Sequence, residues 1–224
     1  MITHPKDTTP AVAVSSANGR ANDVSEYYQS LVGRLQSMVN GKPAPKVVGV
    51  TSCIRGEGVS TVAEGLAAHA AGSTGLPILL IDVTNSLPAS GRVLENHEAL
   101  GLSELLAGQA EPSECIQQSP IDHLFILGGG KGGISTGANF APARVAEVLQ
   151  SLRAEFEFIV LDLPTVSDVS ICLPLAGGLD GVLLVVEAER VRSPIVQRCK
   201  RQLDEASACL LGVVLNKCRD RTPG

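Results

Sequence analysis

The sequence contains no tryptophan, and its few phenylalanines and tyrosines bring the aromatic share to only 3%. A core must therefore be assembled from Val, Leu, Ile and Ala, the composition of a parallel sheet covered on both faces. Charged residues are sparse at 18%, and the net charge is −5. Nonspecific nucleic-acid binding depends on Lys and Arg neutralising phosphates, so neither DNA nor RNA is an expected partner. The six cysteines, at 53, 115, 172, 199, 209 and 218, form no C-x-x-C pair. The histidines at 4, 69, 97 and 123 share no ligand-like spacing with cysteines or acids. That leaves a metal centre or a catalytic triad without support, and the thiols read as unpaired residues of a reducing compartment. No stretch supplies the ~18 apolar residues of a membrane span, and Met1 to Ser16 lack the basic end and apolar run of a secretory signal. The expectation is a cytoplasmic protein that meets a membrane only through a partner, at its inner face.

What is present is a regular alternation. The 224 residues suit one domain with tails. Residues 1–22 carry no hydrophobic periodicity and are expected to form a disordered tail. From Asp23 the pattern turns helical, with Asp23 or Ser25 as N-cap, an apolar stripe of Tyr28, Leu31, Val32, Leu35 and Met38, and a stop at Asn40-Gly41 and Pro43. Six aliphatic runs then read as strands: 46–51, 77–82, 124–127, 158–162, 181–186 and 210–215. Residues 59–71, 143–156 and 194–206 read as helices, with a shorter helical turn at 101–108. Strands that are apolar throughout, alternating with helices, predict a doubly wound, mostly parallel α/β sheet with helices on both faces. The domain is expected to span 23–218, with a short tail at 219–224. Ligands of such sheets sit at the carboxyl ends of the strands.

The first of these strands runs into Ser52-Cys53-Ile54-Arg55-Gly56-Glu57-Gly58-Val59-Ser60-Thr61 and then into an Ala-rich helix. Strand, glycine-bearing loop, Ser-Thr and helix are the setting of a phosphate-binding P-loop. Glycines let backbone N–H groups curl round an anion, and the helix start adds its dipole. Ser60 is placed to ligate magnesium. Two further acids, Asp82 and Asp162, close apolar runs at strand ends, as a magnesium–nucleotide site requires. The loop residues Arg55, Gly56, Glu57, Gly58, Ser60 and Thr61 are the nucleotide-binding candidates, and Ser60, Asp82 and Asp162 are the candidate metal ligands.

These elements, in this order and spacing over residues 23–217, resemble the cytoplasmic domain of bacterial tyrosine kinases, the CpsD/CapB and Wzc family. The matching segments are Thr51 to Thr61, Asp82-Val83-Thr84, Gly101 to Gly108, Asp162-Leu163-Pro164-Thr165 and Gly212-Val213-Val214-Leu215-Asn216. The resemblance implies a P-loop NTPase-type fold, a site for ATP or ADP with magnesium, and a protein-tyrosine kinase of exopolysaccharide synthesis and export. It also implies a partner, the cytoplasmic region of an inner-membrane polysaccharide co-polymerase, and a ring of subunits. Asn216 occupies the family position that reads the adenine edge, although Asn at a strand end also serves as a turn residue.

The chain departs from that pattern at several places. Val59 stands where the family has its catalytic lysine, and Thr84 stands where it has a second acid. The arginine slots that follow Glu26 hold Gln29 and Val32, which speaks against the family-type ring. Residues 217–224 contain no tyrosine; the only two are Tyr27 and Tyr28. No catalytic residue is therefore expected, and the reading is a kinase-like protein of impaired chemistry that binds and regulates. Two alternatives stand beside it: an active kinase or ATPase in which Arg55 or a partner's residue replaces the lysine, and a partition-type positioning ATPase. The Gly128–Gly133 run reads as a mobile connection that could touch ligand. Ser90-Gly91 and Ser193-Pro194 are assigned no chemistry.

Overall fold

The structure is a computed structural model, described for residues 11–13, 21–37, 43–84, 99–131 and 141–218. In chain order the elements are β1 (Ala11–Ala13), α1 (Ala21–Ser37), β2 (Val47–Ser52), α2 (Val59–Thr74), β3 (Ile78–Asp82), α3 (Leu102–Ala107), α4 (Pro112–Cys115) and β4 (Ile116–Gln118). There follow β5 (Leu124–Leu127), α5 (Pro142–Glu155), β6 (Phe158–Asp162), α6 (Val169–Ala176), β7 (Gly181–Glu187), α7 (Ser193–Glu205) and β8 (Leu210–Asn216). The eight strands form one sheet in the order β1-β8-β7-β2-β6-β3-β5-β4. All pairings are parallel except β4 with β5, which is antiparallel.

Side chains that alternate along each strand feed two separate cores. Val48 and Val50 of β2, Leu80 of β3 and Val160 of β6 pack beneath α1 and α2. Val47, Leu79, Ile81, Ile159 and Leu161 point the other way, towards α3, α5, α6 and α7. Every residue of β2 and β3 is buried, which is why Ile78–Ile81 and most of Val47–Val50 read as aliphatic runs. The start of β2 is fixed by Asp180, whose Oδ2 accepts the N–H groups of Lys46 and Val47, each at 2.8 Å, while Arg153 pairs with both its oxygens.

Three expectations need correction. Ala11–Ala13 lies inside the segment expected to be a tail, yet it pairs in parallel with β8, and α1 begins at Ala21, two residues before the expected start. Helix α6 was not anticipated because Pro174 sits within it. Its Cys172, Leu175 and Ala176 are buried, so packing outweighs the missing N–H donor. The pair α4–β4 also went unread, since four- and three-residue elements are too short to show a period. Residues 1–10 and 14–20 of the expected tail, together with Met38, Asn40-Gly41, Ser90-Gly91, Gly132-Gly133 and 219–224, lie outside the described residues.

Helix α1 is held against α2 at one close contact. Tyr28, 7% exposed, lies over Gly65, where any added Cβ would overlap the tyrosine ring. Its hydroxyl donates to the Thr61 carbonyl at 3.1 Å. Burial, then the charge of Glu64, push its pKa up to about 12. Gly65→Ala should lower stability in urea unfolding by about 1–3 kcal/mol through overpacking, and Tyr28→Phe by about 0.5–1.5 kcal/mol. In a Tyr28→Ala background the Gly65→Ala penalty should largely vanish, the coupling expected of touching residues. Additive penalties would show that the two do not pack together.

Candidate functional site

The central strand β2 ends at Ser52, and α2 begins at Val59 after a loop that turns through two left-handed glycines, Gly56 (φ 85°) and Gly58 (φ 92°). At Gly58 a side chain is doubly excluded, because its Cβ would overlap the Asn216 amide. Helix α2 has no side-chain cap and no acid in its first turn, so nothing of its own neutralises the positive end of its dipole. That end faces a cleft of about 830 Å³ at the carboxyl edge of the sheet. Arg55, Gly56, Gly58, Val59, Ser60 and Thr61 line one side of it, and Thr84, Asp162 and Lys217 are also in the lining.

The loop is braced from behind by side chains on β7 and β8. Glu57 has no exposure. Its Oε2 accepts the Ile54 N–H at 2.7 Å within the loop, and its Oε1 accepts the Glu187 N–H at 2.8 Å across to β7. Asn216, at the end of β8, donates from Nδ2 to the Glu57 carbonyl at 2.8 Å. Lys217 follows with φ 56° and donates from Nζ to the Gly56 carbonyl at 2.7 Å and to Glu187 Oε2 at 3.2 Å. Glu57 and Asn216, like Asp82, are outside the cleft lining, and Glu57 and Asn216 shape the loop from behind.

Opposite the loop, Asp82 and Asp162 are direct neighbours in the β3–β6 register. Both are about 1% exposed. Asp82 Oδ1 accepts the Thr84 N–H at 3.1 Å and the Thr84 hydroxyl at 3.2 Å. The residue at the second acid position thus caps the first acid. Asp162 Oδ2 is buried without a hydrogen-bond partner. Burial pushes the Asp162 pKa up to about 7; a hydrogen bond with Ser60 opposes the rise, and the nearby Asp82 and Glu64 add to it. An orphaned carboxylate oxygen beside a serine hydroxyl and a second carboxylate fits a hard cation with oxygen ligands. Ser60, Asp162 and Asp82 are the residues that would hold a magnesium ion, which would neutralise negative charge in the cleft.

Val59 is half-buried, lining the cleft while packing against the core beneath α1 and α2. Arg55 is exposed on the loop. Of the helix α1 positions, Glu26 and Gln29 are exposed, but Val32 is in the core at 5% exposure, so no subunit contact can use it. The Gly128–Gly130 stretch is buried, with the N–H groups of Leu102 and Ser103 held by the carbonyls of Gly128 and Gly129. It anchors α3 and is not in the cleft lining, whereas the sequence reads as a mobile connection. Sequence reasoning missed Lys217, Glu187 and Arg190. Only the Glu187/Arg190 spacing of three hinted at their ion pair.

A strand, a loop with left-handed glycines and an uncapped helix start, facing two acids on neighbouring strands, define a P-loop nucleotide-binding fold. No protein-family model matches the chain. Among curated relatives, it is 30% identical over 193 residues to the tyrosine-protein kinase CpsD of Streptococcus pneumoniae, a match covering 86% of this chain and 83% of that one. The succinoglycan biosynthesis transport protein ExoP of Rhizobium meliloti is 30% identical over 175 residues, 77% of this chain but 22% of ExoP. Among solved structures, the chimerical protein CapA2B2 superposes with a TM-score of 0.80 at 22% identity, covering 95% of this chain and 96% of that one. The septum site-determining protein MinD of Pyrococcus horikoshii, complexed with Mg-ADP, gives 0.63 at 22% identity, covering 80% and 72%. The chain belongs to the CpsD/CapB family of bacterial tyrosine kinases.

The buried carboxyl sets a pH dependence. In the folded protein Asp162 holds its proton up to pH about 7, against an ordinary 3.8. Between those values the folded state binds the extra proton, so this group's contribution falls as pH rises from about 4 to 7. Without magnesium, the stability of the parent relative to Asp162→Asn should fall by roughly 2–4 kcal/mol across that window, as read from urea midpoints. A pH-independent difference would show that the carboxyl is not titrating in the site.

Proposed function

We infer that this chain is a nucleotide-binding member of its family with impaired phosphoryl transfer, and that it acts as a regulatory partner of an exopolysaccharide export machine. The carrying observation is Val59 at the lysine position of an otherwise braced phosphate loop. Transition-state charge on a transferred phosphoryl group is met in such sites by a cation, and losing one such group costs about 2.7–4 kcal/mol. Thr84, whose hydroxyl is engaged by Asp82, supplies no carboxylate to activate an attacking hydroxyl. Binding asks for less, namely backbone N–H groups, a helix start and oxygen ligands for the metal. MinD, of the same fold, holds Mg-ADP in its crystal structure. ATP or ADP with magnesium is the ligand we assign to the cleft. Bound magnesium would neutralise phosphate charge, while Ser60, Asp82 and Asp162 position it.

The partner reading follows from the relatives. In ExoP the matching segment is about a fifth of a longer biosynthesis transport protein. Among the described residues of this chain no helix is long and apolar enough to cross a membrane. We assign as partner the cytoplasmic region of a membrane polysaccharide co-polymerase. The exposure of Arg55 on the rim of the cleft favours a second reading, an active kinase or ATPase that borrows this guanidinium.

The two readings separate on turnover. The purified protein should bind Mg-ADP, yet release no phosphate from ATP and form no phosphotyrosine above the level of Asp162→Ala. Turnover present in the parent and lost in Asp162→Ala would sink the impaired-kinase reading. Val59→Lys should tighten Mg-ADP binding by about tenfold or more, the effect of a charged hydrogen bond of roughly 1.5–3 kcal/mol. Titration calorimetry measures both.

A further inference from the structure

The loop has lost its own lysine, yet a lysine sits on it. Lys217 comes from the far end of the chain, just after β8, and lines the same cleft as Val59 and Ser60. Its ammonium lies 2.7 Å from the Gly56 carbonyl, on the loop's rim. Its other partner, Glu187 Oε2 at 3.2 Å, is shared with Arg190, whose Nη1 is closer at 2.7 Å. Glu187 therefore keeps a cation if Lys217 turns to another anion. Glu57, buried behind the loop, is occupied by the N–H groups of Ile54 and Glu187 and does not compete for Lys217. Arg55 and Lys217 are the cations in the cleft lining, and Asp162 and Asp168 are its acids. Lys217 is also one of four non-glycine residues with positive φ among those described, so its backbone is held in an unfavourable conformation at the cleft edge.

We propose that Lys217 is the phosphate-binding cation of this site, replacing from the β8 end the lysine that the loop lacks at position 59. The proposal rests on the nucleotide reading given above. An ammonium on a flexible four-carbon stem can leave a carbonyl and a shared carboxylate for a phosphate oxygen, where charge-assisted bonding is stronger. The role belongs to binding. It supplies positive charge at the loop without restoring the Thr84 position to an acid.

Calorimetric titrations of the full chain with Mg-ADP and with adenosine test this. Lys217→Met should weaken Mg-ADP binding by about tenfold or more while leaving adenosine binding unchanged, and Lys217→Arg should keep most of the affinity. Glu187→Gln, which removes the competing carboxylate, should tighten Mg-ADP binding, and that gain should disappear when combined with Lys217→Met. If Lys217 only braces the loop, Glu187→Gln loosens the brace and weakens binding, which overturns the proposal even should Lys217→Met fail to fold. Unchanged Mg-ADP affinity in Lys217→Met, or an equal loss for adenosine, overturns it and leaves the nucleotide reading standing. A parent protein that binds neither Mg-ADP nor adenosine overturns both.

Discussion

A carboxylate with no solvent exposure, Glu57, is the constraint on which the site depends. It sits in the middle of the loop it shapes and bonds backbone groups on two sides, Ile54 within the loop and Glu187 on β7. A buried carboxylate is tolerated only when its lone pairs are met by good donors, and here both oxygens are. The bonds tie the loop's curvature to the sheet, and Asn216 adds a third tie through the Glu57 carbonyl. The left-handed glycines and the uncapped helix start lie between these ties.

That arrangement separates two properties that one lysine usually joins. The shape of a phosphate site comes from backbone and bracing, which this chain retains. Charge delivered to a moving phosphoryl group comes from side chains, and at positions 59 and 84 it is absent. Across the cleft, the acids keep the opposite character: Asp162 keeps an oxygen buried and unpartnered, a costly state that a bound cation relieves. Tyr28 links the first turn of α2, at the cleft, to α1.

Much of the fold was legible because burial on both faces writes itself into the sequence. Strands β2, β3 and β6 are aliphatic before their final polar residues except at Gly49 and Phe158, and their assigned ends differ from the expected ones by a residue at most. What could not be read had a local signal pointing elsewhere. Pro174 reads as a break, but α6 continues through it because its neighbours are buried. Ala11–Ala13 has a composition shared with the disordered-looking residues around it, and only the open edge of β8 gives it a partner. In the site, Glu57 reads as a ligand contact because it lies within a matching motif, yet a motif fixes spacing along the chain and leaves open which way a side chain turns.

By itself the sequence determined the layered sheet, the position of the phosphate loop at the end of β2, the acids at the ends of β3 and β6, and the valine in place of lysine. Those follow from periodicity and from residues adjacent along the chain. Tertiary structure alone decided that Glu57 faces inward, that the Thr84 hydroxyl is engaged by Asp82, and that Lys217 lies on a carbonyl 161 residues away. The physical reason is the parallel topology. Order along the chain sets each strand's end, but the crossovers choose which ends become neighbours, and only neighbours exchange hydrogen bonds and charge.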